Sequence, residues 1–149
     1  MKYLLDSNTI SELYDPEAAR NECVSTHVSA LGEHDGLYIS ILSLYELEYG
    51  WANAPEKKKS DIRQVITDIQ TDFTVLGLSA QGAMVFGNLK KHIKETRSPS
   101  KENMKKFNID VMLASTAITH KIILVSADTV YADLQRHDPS LQVEKWMIE

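Results

Sequence analysis

Four carboxylates stand out because each lies where an apolar run ends or a helix begins. Asp6 follows Tyr3-Leu4-Leu5, and Asp128 follows Ile122-Ile123-Leu124-Val125 after two small residues. Glu46 comes less than two helical turns after Leu37-Tyr38-Ile39-Ser40, and Asp110 opens the helical stretch that leads into Ile122. In open α/β sheets, ligands collect at the carboxyl ends of the strands, so acids at those ends are placed to meet. Four carboxylates converging without counter-charge repel one another and drive some pKa values up. A divalent cation relieves that repulsion, and an all-oxygen donor set favours Mg²⁺ or Mn²⁺ over zinc. Carboxylate-held ions suit phosphodiester hydrolysis: one lowers the pKa of water, and another steadies the leaving oxygen.

Each acid also has a plainer reading. Asp6 or Asn8 can cap a helix beginning near Thr9. Ser43, three residues before Glu46, fits a capping box. If that helix instead begins a residue or two earlier, Glu46 lies one turn in and faces the end of the preceding strand. His27, His34, His92, His120 and His137 are scattered, so none reads as a zinc ligand. Cys23 is the single cysteine, which leaves no intrachain disulfide and no Cys-rich zinc centre.

The elements that must position these acids follow from periodicity. Residues 3–5 are apolar without alternation, as in a strand buried on both faces of a parallel sheet; 37–40 reads as a second buried strand, 73–76 as a third and 122–125 as the strongest. Residues 141–145 read as an edge strand. Between them, helical spacing is expected over 9–14, 17–31, 43–50, 56–70, 80–95 (capped by Ser79), 108–120 and 129–136. Pro99 is placed as a first helical residue. Ala114 and Ala117 share a face with Asp110, which lets that face approach the sheet closely. This alternation predicts an α/β fold, one domain over residues 1–149, with a parallel sheet of about five strands covered by helices on both faces. If the first, second and 122–125 strands are neighbours, three of the acids meet at one rim, and Asp110 joins them from a helix N-terminus.

Composition is that of an ordinary globular chain, with 43% hydrophobic and 25% charged residues. The apolar start is broken at Asp6, so it reads neither as a signal peptide nor as a membrane span, and a cytoplasmic protein is expected. Net charge is −5, yet residues 88–107 hold seven basic side chains against two acidic ones, a local +5 that leaves −10 elsewhere. Such segregation lets one face attract a polyanion, although a solvated helix face gives the same pattern. Lys90, Lys94, Arg97, Lys101 and Lys105 are the candidate contacts to a nucleic-acid backbone, gripping phosphate without reading sequence.

Taken together, Leu5-Asp6-Ser7-Asn8, Ser43-Leu44-Tyr45-Glu46-Leu47-Glu48-Tyr49-Gly50, Asp110 with Leu113-Ala114-Ser115-Thr116-Ala117, and Val125-Ser126-Ala127-Asp128 resemble a PIN domain. More narrowly they resemble the VapC toxin ribonucleases of bacterial toxin–antitoxin pairs, and the closing Val143-Glu144-Lys145-Trp146 matches the end of that family's chain. The resemblance implies that Asp6, Glu46, Asp110 and Asp128 form an acidic Mg²⁺ site, with Ser126 at the same rim and Asn8 orienting the first acid. It further implies endonuclease activity on structured RNA such as transfer or ribosomal RNA, a homodimer, and a VapB-type antitoxin that blocks the cleft. One departure is Tyr131-Ala132, where members often carry an Asp-Phe pair. Asp128 is left as the only acid immediately after the strand, and Asp133 is displaced.

Two other functions compete. An aspartyl-phosphate phosphatase would use Asp6 as nucleophile, but that chemistry wants a second acid two residues on, where this chain has Asn8. A catalytically silent PIN-like RNA- or protein-binding module is the other, and all four acids being present gives no reason to suppose lost activity. For the antitoxin, the candidate surfaces are Ile10, Leu13 and Tyr14 of the first helix and the apolar side of residues 42–51, which read equally well as core.

Overall fold

The computed structural model describes residues 1–148. Its strands are β1 (Lys2–Leu5), β2 (Gly36–Ser40), β3 (Thr74–Leu76), β4 (Ile123–Val125) and β5 (Gln142–Glu144), in the spatial order β3-β2-β1-β4-β5. Every neighbouring pair is parallel. The N-terminal run is therefore the central strand, flanked by the two strands whose acids were expected beside it.

The helices are α1 (Ser7–Leu13), α2 (Asn21–Ser29), α3 (Ile41–Asn53), α4 (Glu56–Asp72), α5 (Ala80–Arg97), α6 (Lys101–Lys106), α7 (Asn108–His120) and α8 (Val130–His137). They divide between the two faces of the sheet. Leu4 and Leu124 point into a core shared with Leu89 and Ile93 of α5, Val111 and Ala114 of α7, and Leu134 of α8. Leu5, Ile39 and Val125 point the other way, against Ile10 of α1, Val24 of α2, Leu44 of α3 and Ile69 of α4. Leu4 and Leu5 are both wholly buried although they face opposite layers. That is why β1 shows no alternation of apolar and polar residues.

Several boundaries differ from the sequence expectation, each for a local reason. The α3 helix starts at Ile41 with no loop after β2, and Ser40 is its cap, its hydroxyl accepting from the Leu42 amide at 3.1 Å. Ser43 is therefore a buried residue of the first turns, and the capping box with Glu46 is not formed. The second alternative holds: Glu46 lies inside the helix. The same helix runs through Gly50 to Asn53. The α2 helix is shorter than the expected 17–31, because residues 15–20 are turns and the Asn21 amide group donates to the Glu12 and Leu13 carbonyls at the end of α1. Pro99 precedes the cap of α6 and is not its first residue; Ser100 caps that helix. The α5 helix ends as Ser98 turns left-handed at φ 42°.

On α7, Ala114 and Ala117 are buried as expected. Trp146 is buried too, stacked on His27 and tilted against Tyr3, which fixes the segment just after β5 to the α1–α4 face. No helix among the described residues is long and apolar enough to cross a membrane.

Candidate active site

The parallel register of β1 with β4 places Leu5 beside Val125, so the residues after them leave the sheet side by side. Asp6 donates its amide to the Val125 carbonyl at 3.1 Å, and the Ser126 hydroxyl donates to Asp6 Oδ2 at 2.5 Å. The other carboxylate oxygen, Oδ1, accepts from the Thr9 amide at 2.9 Å. Asp6 thus caps α1 and faces the rim of the sheet at once. The cap reading of this residue holds, and capping leaves its carboxylate on the lining of a cleft at that rim.

The neighbouring acids are held in related ways. Ser126 Oγ also accepts from the Asp128 amide at 3.1 Å, and Asp128 Oδ1 accepts from the Val130 amide at 3.0 Å, so the loop after β4 is folded onto the start of α8. Glu46 accepts from the Ser7 hydroxyl at 3.0 Å, and Ser7 Oγ lies 3.1 Å from Ser43 Oγ. Asp110, in the first turn of α7, receives the Tyr131 hydroxyl at 3.5 Å. Asp6, Glu46, Asp110 and Asp128 line a single open cleft of about 230 Å³ together with Ser7, Asn8, Lys106, Ile109 and Leu113.

Their proximity is felt electrostatically. Asp110 is pushed up to about 6, first by burial and then by the charges of Asp128, Asp6 and Glu46, with the Tyr131 hydroxyl acting in the opposite direction. The Tyr131 phenol is raised well above its usual value, chiefly by burial and then by Asp110. Among the described residues no arginine lines this cleft, and Lys106 is the one cation that does.

The fit to a metal ion can be judged from the donors. Among the described residues, no three His, Cys, Asp or Glu side chains stand close enough to form a finished cage. Asp6, Glu46 and Asp128 are each engaged by a protein donor, and mutual repulsion favours that splayed arrangement. The donor chemistry nevertheless fits a hard dication, since four carboxylates supply only oxygen and the repulsion such an ion would relieve is visible at Asp110.

The expected flanking residues fare differently. Asn8 lines the cleft, but Asp6 is oriented by Ser126 and the Thr9 amide. Arg97 is tied to Asp133 and lies over the Phe107 ring, and Lys90 lies over the Phe86 ring. Lys94, Lys101 and Lys105 are exposed. None of these five lines the cleft, whereas Lys106 does. Sequence reasoning assigned no role to Lys106, Ser7 or Tyr131. The first stands four residues before Asp110 and the second directly after Asp6, so spacing alone could have flagged them. Tyr131 carried no signal beyond a hydroxyl at an apolar position.

A second concavity, of about 340 Å³, runs between α1, α3 and α4 and is lined by Ile10, Tyr14, Leu47, Ile62, Val65 and Ile66 among others.

The family model of the PIN domain matches residues 3–136. The chain belongs to the PIN domain family. Among solved structures, this PIN domain is similar to VapBC-1 from nontypeable Haemophilus influenzae, with a TM-score of 0.77 and 22% identity over 99% of this chain and 100% of the other. VapBC2 from Rickettsia felis, solved bound to a DNA fragment from its promoter, gives 0.74 and 22% over 98% and 99%. FitAcB from Neisseria gonorrhoeae gives 0.75 and 23% over 95% of each chain. At these identities the likeness speaks to the fold. A search of the curated proteins finds no match.

Proposed function

We propose that this PIN domain is the toxin of a VapBC-type pair: a metal-dependent endoribonuclease of the cytoplasm that hydrolyses phosphodiester bonds in structured RNA such as transfer or ribosomal RNA. The observation that carries the reading is the single cleft receiving four carboxylates from distant parts of the chain, with no arginine among its lining residues. Asp6, Glu46, Asp110 and Asp128 would hold Mg²⁺ or Mn²⁺. When bound, such ions supply an activated water and stabilise the departing oxygen.

The chain's own residues do the rest. Ser126 and the Thr9 amide fix the Asp6 carboxylate, and Ser7 fixes that of Glu46. Lys106 offers a positive charge to a phosphate oxygen at the cleft, and the exposed Lys94, Lys101 and Lys105 attract the flanking backbone without choosing a sequence. The phosphatase reading wants a second acid two residues after Asp6, and Asn8 stands there.

Two surfaces suit the partners. The apolar groove between α1, α3 and α4 has the form that receives an amphipathic helix, and we assign it to a VapB-type antitoxin. Of the residues expected there, Ile10 and Tyr14 both line the groove, Ile10 from within the core, and Leu13 does not. Tyr45 and Tyr49 of α3 are exposed, as are Val75 on the edge strand β3, Leu78, and Met84 of α5, and we assign homodimer contacts to these side chains.

The test is cleavage of end-labelled transfer and ribosomal RNA by the purified protein with Mg²⁺, with Mn²⁺ and with a chelator. Cleavage that requires the ion and is lost in Asp110→Asn supports the proposal. Cleavage at the wild-type rate by Asp110→Asn, or in the presence of chelator, would falsify it.

A further inference from the structure

Tyr131 does not line the cleft, yet its side chain reaches Asp110 from behind it. It stands on α8, is 1% exposed, and packs in the apolar core with Leu4, Leu89, Val111 and Leu134. In such a place phenylalanine would fill the space without bringing a polar atom, whereas a buried hydroxyl requires a partner. The partner in the structure is Asp110 Oδ1 at 3.5 Å, across the packed pair α7 and α8. This is the long end of the hydrogen-bonding range, so the contact orients more than it binds.

The forces on Asp110 give that orientation a purpose. The charges of Asp128, Asp6 and Glu46 all act against an ionised Asp110. Left to repulsion alone, the side chain would rotate away from the other three. The Tyr131 hydroxyl is a donor acting against that rotation, and its helix is itself anchored to the site, since the Val130 amide binds Asp128 Oδ1. One short helix therefore steadies two acids of the cluster from opposite ends of a two-residue step.

We propose that Tyr131 is a positioning residue: its buried hydroxyl fixes the rotamer of the Asp110 carboxylate and thereby sets how tightly the cleft takes a divalent cation. The inference rests on the metal-dependent reading of the cleft. Outer partners of metal ligands commonly carry about 10- to 100-fold in affinity, and a long hydrogen bond belongs at the lower end of that range.

The experiment is a Mn²⁺ titration of the full chain, following free Mn²⁺ by electron paramagnetic resonance, on wild type, Tyr131→Phe, Asp110→Asn and the double variant. Melting without metal is recorded for each. The expected result is a roughly ten-fold weaker Kd for Mn²⁺ in Tyr131→Phe, with its metal-free melting temperature unchanged or higher. Tyr131→Phe should add no further loss once Asp110→Asn is present. Cleavage by Tyr131→Phe should fall in kcat at limiting Mn²⁺, recover at high Mn²⁺, and keep its KM for RNA. Equal Mn²⁺ affinity in wild type and Tyr131→Phe, with Asp110→Asn weakened, overturns this inference alone and leaves Tyr131 as packing. A wild type that binds no Mn²⁺ overturns the metal-dependent reading and this inference together.

Discussion

Asp110 and Asp133 stand on the packed helices α7 and α8, and the fold drives their carboxyls in opposite directions. Burial and the charges of Asp128, Asp6 and Glu46 push Asp110 up to about 6. The Arg97 guanidinium bound to Asp133, with Arg136 and His92 nearby, holds that carboxyl below its usual range. One acid has been given its counter-charge by the chain, and the other has been surrounded by its own kind. Paired charge at the α5–α8 edge is scaffold. Uncompensated charge at the sheet rim costs stability in the folded protein, and a site that carries such a cost is a candidate for binding something that removes it.

The widest separation between the two regions is expected in catalysis. Asp6→Asn keeps an oxygen for the Thr9 amide but removes a charge from the cleft. RNA cleavage should fall by more than about 100-fold, since even outer partners of a metal ligand carry 10- to 100-fold. Single-turnover cleavage of labelled RNA reads this, and a variant as fast as wild type would dissolve the distinction between rim and edge.

Next in size is the response to metal. Mn²⁺ at a hundred times its Kd should stabilise the protein by about 2.7 kcal/mol, on the order of 5–10 °C in Tm for a chain of this size. Asp110→Asn should show little of that rise, while Asp133→Asn should show all of it. Scanning calorimetry with and without chelator makes the measurement.

The pH dependence of the metal-free protein is smaller and has a definite sign. Asp110 titrates near 6 when folded and near 3.8 when unfolded, so between those values the folded state binds more protons. Stability therefore declines as pH rises through that window, and the penalty is complete above about 6. After allowance for solvent screening of this half-buried group, the loss between pH 5 and pH 7 is on the order of 1 kcal/mol. Asp110→Asn should flatten it. Asp133 works the other way: its contribution is present above the unfolded value and is lost as pH falls through the lowered one. A urea-unfolding series whose midpoint rises from pH 5 to pH 7 in the wild type and equally in Asp110→Asn would contradict this assignment.

Arg97→Ala should have the smallest effect. It removes a partly exposed ion pair and is expected to cost up to about 1 kcal/mol, with RNA cleavage unchanged. A large loss of cleavage would show that the edge reaches into the chemistry after all.

Much of this architecture was legible in the chain itself, and the reasons are physical. Tyr3-Leu4-Leu5 lacks alternation because both faces of β1 are buried, and Asp6 is conspicuous because an acid cannot continue such a run. The neighbourhood of β2, β1 and β4 was a condition for the acids to share a rim, and the observed strand order meets it. What was hidden depends on short-range competition or on tertiary geometry. Ser40 and Ser43 are equivalent as caps on paper; only the abrupt passage from β2 into α3 selects the first. Arg97 looked free because its partner Asp133 lies 36 residues away on another helix. The role of Tyr131 needs the packing of α7 on α8, which no spacing within either helix encodes.

The short hydrogen bond between Ser126 and Asp6 spans 120 residues, and the central strand is the first to be made while its neighbour β4 is nearly the last. A ribosome therefore releases Asp6 and Glu46 long before the segment that carries Ser126 and Asp128. Until that segment emerges, the growing polypeptide carries three of the four acids but lacks Asp128 and the hydroxyl that holds Asp6. Synthesis that stops anywhere before Ile123 leaves the central strand without its β4 neighbour and Asp6 without the Ser126 hydroxyl, so the rim is completed only as the last fifth of the chain is made.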